Sequence, residues 1–376
     1  MQRTRQRLIV IVAAVAIIAV AGVWTLLPEA LTSTPTGSAA PAAFRTTSGP
    51  YSATYDFITA SLGWALIVDY NARSTRFFVF KTTDGATNWH KQYVGQAEGA
   101  VTHLHFFDAR NGFLSAGLAY RSNDGGDHWQ RVGVPGRDAS LTFASPTIGW
   151  AQVFDTERSS RLYVTVDAGQ TWTQVGAAPP WSEELQPLAE GGQASRFRES
   201  GEGWLGAAHQ GAPTVSVTAD GGASWRTIEL FPTFGADSYD STVRLIPGTA
   251  VVAFLSDQTG RPLGASMSSD GGASWTELAF PPVGGVSPGE LTFVDADHWW
   301  LFDSGSVYTT DDAGRSWLYL HELAFLNSSW RSVSARAIDQ QHAWWALIST
   351  ANSEVGALAM TSDGGEHWEM INSPQP

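Results

Sequence analysis

Four sets of residues in this chain are of types that do chemistry. Asp84, Asp124, Asp167, Asp220, Asp270, Asp312 and Asp363 each sit in a phrase of the form Ser/Thr-x-Asp-x-Gly-x-x-Trp, closed by Trp89, Trp129, Trp172, Trp225, Trp275, Trp317 and Trp368. His103 and His105, two residues apart and close to Asp108, have the spacing of two metal ligands on one strand face. Arg196, Arg244 and Arg336, with His105, are the basic members of a recurring position that also holds Asp56, Thr142 and Thr292; cations gathered there would suit a carboxylate or a phosphate. The many remaining carboxylates are the raw material of a glycosidase, which needs two of them positioned across one bond.

Each set has a plainer reading. Chemistry on seven equivalent aspartates would need seven sites, whereas a tight turn needs their side-chain oxygens as acceptors for backbone N–H groups. Glycine supplies the positive φ of such a turn, and only the first copy departs, with Ala86 in place of glycine. The histidine pair has no third histidine in register and no local metal signature, so it reads as polar lining of a wet channel, and no metal, cofactor or catalytic residue is assigned. The arginines either converge on an anionic partner or hydrogen-bond neighbouring units and solvent.

The elements that would position these residues follow from the spacing. Successive phrase aspartates lie 40, 43, 53, 50, 42 and 51 residues apart, in the range of propellers, solenoids and arrays. Upstream of each phrase a second pattern recurs, as in Leu104-His105-Phe106 … Gly112-Phe113, Leu141-Thr142-Phe143 … Gly149-Trp150, Ser195-Arg196-Phe197 … Gly203-Trp204 and Leu291-Thr292-Phe293 … Trp299-Trp300, with seven residues from the Phe to the final aromatic. Blade one fits as Asp56-Phe57 … Gly63-Trp64; units five and seven, at Arg244-Leu245 and Arg336-Ala337, keep the position and lose the residue type. Each unit resolves into four short strand-like segments bounded by Gly, Asp, Asn and Pro, and helical periodicity ends at Leu27.

The expected fold is therefore all-β: a seven-bladed β-propeller with four antiparallel strands per blade over 51–376, preceded by a transmembrane helix. A β-solenoid is the competing architecture. The first unit opens on an innermost-type strand and the last ends on an outermost-type one, so no strand is expected to be borrowed for ring closure. The long connections Ala177–Ser195 and Phe231–Ser241 are the expected carriers of specificity.

Residues 1–7 form a short basic segment expected in the cytoplasm, and Leu8 to Leu27 is a 20-residue uncharged, almost entirely apolar run, long enough as a helix to cross a bilayer. Arginines before the run and none just after it place the propeller outside the cytoplasm, as a single-pass membrane protein. The alternative is secretion after cleavage at Ala19-Val20-Ala21. Residues 28–50, rich in Pro, Ser, Thr, Ala and Gly, read as a disordered linker. There are no cysteines among the 376 residues, which excludes disulfides and thiolate metal sites. Residues 51–376 hold 18 basic and 35 acidic side chains, a formal charge of −17, which argues against nucleic acid as a partner.

The turn phrase resembles the Asp-box, or BNR, repeat of sialidases, sortilin-type receptors and several glycoside hydrolases. The combined pattern is most similar to the seven-bladed propellers of the photosystem II assembly and stability factor family, over residues 51–374. That resemblance implies boxes on the outer turn between third and fourth strands, away from the functional face, and a non-enzymatic assembly role that uses an arginine-rich docking patch. Here the domain is acidic. The enzymatic alternative is a sialidase-like or other glycosidase acting on envelope polysaccharide. Its nearest trace is Arg244-Leu245-Ile246-Pro247, which resembles the Phe/Tyr-Arg-Ile-Pro phrase of sialidases with an extra residue; xyloglucanase-like enzymes use two propellers where this chain has length for one. The expectation is a monomeric, membrane-tethered, extracytoplasmic binding or assembly module for a protein or glycan partner.

Overall fold

Short strands rich in β-branched and aromatic residues, ended by Gly, Asn and Asp turns, pair into seven antiparallel sheets. The computed structural model describes residues 46–376 apart from the connections at 49–50, 70–74, 98–100, 137–138, 157–158, 181, 184, 186–195, 210–211, 231–238, 260, 282–290, 304–305 and 323–329. The apolar run 8–27 and most of the linker lie outside the described residues, among which no helix is long and apolar enough to cross a membrane.

The fold is an all-β, seven-bladed propeller. In blade one, Tyr51–Phe57, Gly63–Asp69, Arg76–Thr82 and His90–Gln96 pair in sequence order, and the order repeats over 101–131, 139–177, 240–277, 291–322 and 330–371. Blade four differs. Its sheet has three strands, Gly203–His209, Ala212–Thr218 and Arg226–Glu229, and isolated bridges from Phe197 to Gly203 and from Ser182 to Ala207 occupy the innermost position. The described part of the connection expected to carry specificity is thus folded inward: Leu185 is fully buried, and Glu183 N–H donates to Gly206 O at 2.7 Å.

The upstream pattern has a packing explanation. Phe57, Phe106, Phe143 and Phe197 pair with Gly63, Gly112, Gly149 and Gly203 at the end of the first two strands. A Cβ on any of these glycines would come within 2.3–2.5 Å of its phenylalanine ring. The aromatic after this position, which is Ala343 in blade seven, faces the next blade. Trp64 stacks on Phe106 at 3.6 Å between centroids, Trp150 on Phe197 at 4.3 Å, and Trp344 on Phe57 at 4.0 Å. One glycine and two rings therefore make each such seam. Gly149→Ala is expected to destabilise by about 1–3 kcal/mol, because Phe143 is wedged against Phe113 and Trp172 and cannot swing aside; chemical denaturation measures it, and an unchanged midpoint would contradict the packing.

Ring closure departs from the expectation. Thr47–Ser48, in the segment read as linker, pairs antiparallel with Val355 and Gly356 of blade seven, along the edge that Glu369–Ile371 covers further on. A strand from the N-terminal side is borrowed after all, and the folded domain starts at about residue 46. The sequence hid it because two paired residues carry no periodicity. Nearby, Trp89 Nε1–H donates to Asn372 O at 2.8 Å, Asn372 Nδ2–H donates to Thr87 O at 3.0 Å, and Gln375 bonds the Thr46 carbonyl.

Candidate binding centre on the innermost strands

The seven boxes are turn structures throughout. In every copy the Ser/Thr hydroxyl donates to the aspartate and accepts the N–H four residues on, from Ala86, Gly126, Gly169, Gly222, Gly272, Gly314 or Gly365, at 2.8–3.0 Å. The aspartate accepts both the N–H and the side chain of its own fourth neighbour, which is Asn88, His128, Thr171, Ser224, Ser274, Ser316 or His367. Both residues after the aspartate take positive φ, so Ala86 holds +71° where its counterparts are glycine.

These bonds favour ionised aspartate. The hydroxyls of Thr171, Ser274 and Ser316, with the N–H groups of the same residues, hold Asp167, Asp270 and Asp312 down at about 2, and the His367 N–H and ring do so for Asp363. A carboxylate depressed in the folded state contributes its stability fully above its unfolded pKa of about 4 and loses it as pH falls through the folded value. Acid unfolding followed by tryptophan fluorescence should therefore begin below about pH 4 and run towards pH 2; native fluorescence retained at pH 2 would contradict it.

The recurring polar position lies on the innermost strands, and the structure divides it into two clusters. In the first, the Asp56 carboxylate, 1% exposed, pairs with Arg336 of blade seven, accepts the Phe106 N–H at 2.5 Å and lies 3.3 Å from His105 Nδ1 in blade two. Burial pushes His105 down to about 4, and lowers Arg336 to about 10. At neutral pH the cluster is a carboxylate–guanidinium pair beside a neutral imidazole. It stitches three consecutive blades at the seam where the ring closes.

In the second cluster, Arg196 of blade four meets Glu183 in a two-pronged contact, Nε to Oε1 and Nη2 to Oε2, both 3.1 Å. Glu183 Oε1 also accepts the N–H groups of Gly206 at 3.0 Å and Val243 at 3.2 Å. Burial raises the Glu183 pKa against the opposing charge of Arg196. Arg244 of blade five donates from Nη1 to Leu291 O of blade six at 2.8 Å and lies over the Phe293 ring at 5.3 Å. Burial lowers it to about 9, and the charge of Arg196 adds to the shift. Thr142 and Thr292 are buried at the same position in blades three and six.

Arg196 and Arg244 are therefore within electrostatic reach of each other, while Arg336 and His105 belong with Asp56. His105 and Asp108 face different surroundings: Asp108 is exposed and caps its own turn through the N–H groups of Arg110 and Asn111, at 2.7 and 2.8 Å, while His105 is buried beside Asp56. Glu183 was not singled out from sequence. It lies in an irregular connection after Pro179-Pro180, where no repeat marks it. Arg198 was missed likewise; it bridges to blade five through the carbonyls of Ile246 at 3.0 Å and Ala250 at 2.8 Å.

A scan against protein-family models finds no match, and a search of curated proteins finds none. Solved structures do match. YCF48 from Cyanidioschyzon merolae aligns with a TM-score of 0.52 at 15% identity, covering 86% of this chain and 99% of that one. YCF48 bound to D1 peptide gives 0.51 at 14%, covering 85% and 99%. The GH74 xyloglucanase from Xanthomonas campestris gives 0.50 at 14%, over 84% of this chain and 60% of that one. At these identities the likeness is one of fold.

Proposed function

We propose that this chain is a non-enzymatic binding or assembly module, held outside the cytoplasm by its N-terminal apolar run, whose propeller engages a protein partner. One observation carries the reading: the carboxylates at the blade centres, buried Asp56 and partly buried Glu183, are each paired with a guanidinium and accept backbone N–H from other segments, one for Asp56 and two for Glu183. A glycosidase acid must release and recover a proton, and its partner carboxylate must face the sugar. Carboxylates consumed in joining blades do neither. The fold likeness to YCF48, solved with a peptide bound, supports use of such a propeller for protein binding.

The likeness to a GH74 xyloglucanase keeps the glycosidase reading in view, although this chain spans 60% of that enzyme. Affinity capture with the tagged full chain from detergent-solubilised membranes tests the proposal. A partner recovered in stoichiometric amount supports it; no such partner, together with hydrolysis of aryl glycosides that is lost in Glu183→Gln, would overturn it.

A further inference from the structure

Adjacent blades close their box-side seams in different ways. The carbonyl of the residue after the box aspartate is the recurring acceptor: Gly125 O takes Trp64 Nε1–H at 2.9 Å, Gly221 O takes Trp150 Nε1–H at 3.0 Å, and Gly271 O takes Arg226 Nη2–H at 2.7 Å. Three seams close in this way; among the described residues Gly85 O, Ala168 O, Ala313 O and Gly364 O take no side-chain donor, and the seam between blades six and seven is one of those left open. Trp300 Nε1–H turns to Asp339 O at 3.2 Å, and among the described residues no side chain donates to Gly364 O. An open groove of about 530 Å³ remains there.

The residues bordering that groove invert those of the closed seam between blades four and five. Arg226, the residue after the box tryptophan Trp225, corresponds to Leu318 after Trp317, and Leu318 is 63% exposed. Ala219, before the box aspartate Asp220, corresponds to Asp311, and Ala273 in the box of blade five corresponds to Glu366 in that of blade seven. At the seam between blades four and five, which holds its own guanidinium, the flanking residues are alanines. At the seam between blades six and seven, two exposed carboxylates and an uncapped carbonyl border an apolar floor of Leu318, Leu320 and Trp317.

We infer that the groove between blades six and seven binds an arginine side chain carried on a short extended segment of a partner protein. The incoming guanidinium takes the place that Arg226 holds two blades earlier, donating to Gly364 O and pairing with Asp311 and Glu366, while an apolar neighbour on the segment covers Leu318. Guanidinium suits this position because it donates to a carbonyl and a carboxylate at once. The formal charge of −17 on residues 51–376 favours approach of a basic segment. The inference rests on the reading of the protein as a binding module and names the chemistry of its partner.

The test is titration of the purified full chain with the fluorescent peptide Leu-Arg-Leu-Arg, blocked at both ends, against the same peptide with citrulline for arginine. Binding to the arginine peptide at least tenfold tighter, weakened at least tenfold in Asp311→Asn/Glu366→Gln and in Leu318→Arg, is the expected result. Leu318→Arg rebuilds the internal closure and should fill the groove with the protein's own guanidinium; because Leu318 is exposed, that variant should fold normally. Equal binding of the citrulline peptide, unaltered binding by both variants, or protection of Trp317 by a neutral oligosaccharide and not by the peptide would overturn the inference. Partner capture is a separate readout: a partner retained by Leu318→Arg leaves the binding-module reading intact and removes the groove from it.

Discussion

Asp56→Ala is expected to lower the unfolding free energy by about 3–5 kcal/mol, the usual cost of stranding a buried charge by removing its partner. Arg336, with 17% of its side chain exposed, would face the His105 ring and the Phe106 N–H with no acceptor between them. Urea denaturation at pH 7 measures the effect. The double variant Asp56→Ala/Arg336→Met should recover most of the stability, since replacing both members of a buried pair by apolar groups is often close to neutral. If Asp56 were held ready for a ligand, its replacement would leave stability unchanged or raise it. A single variant within about 1 kcal/mol of the parent would therefore reopen a functional role for this carboxylate.

Trp150→Ala is the second large expectation, again about 3–5 kcal/mol, because a fully buried indole leaves a cavity that the surrounding sheets cannot collapse into. Trp150 stacks on Phe197 and gives its Nε1–H to Gly221 O, so the stack and the hydrogen bond both tie it to blade four. That blade has the least regular innermost position and relies on the bridges at Ser182 and Phe197. Near-ultraviolet circular dichroism and denaturation should report the change together. A destabilisation below about 1 kcal/mol would mean that the seam between blades three and four is held by something other than this stack.

Legibility in the sequence followed repetition. Seven boxes and the recurring aromatic step carried blade number and strand order, because the motif residues keep the same kind of neighbour in the regular units: Gly149 must admit Phe143, and Trp150 must reach Phe197. The polar position before the phenylalanine was legible as a position and not as a site. Its side chains turn to partners that repetition does not specify, such as Glu183 from a connection and Arg336 from the last blade. Short pairings escaped for the same reason: Thr47 and Ser48 sit in a composition that reads as linker and become a strand only because blade seven offers them an edge. The open seam beside Leu318 has no signature of its own in the sequence, since it is defined by a donor that the neighbouring strand does not carry.

The borrowed strand has a kinetic consequence. Thr46 to Ser48 and Trp89 find their partners at Asn372, Gln375 and the Val355–Gly356 edge, so the final contacts join residues some 280 to 330 positions apart. During synthesis the first blade must wait, one flank bare, until the seventh emerges. Contacts so distant in sequence form slowly, and an exposed sheet flank invites pairing with another chain. Refolding should thus end in a slow phase in which the circle shuts, and brief dilution at that stage should raise the yield more than any change made earlier.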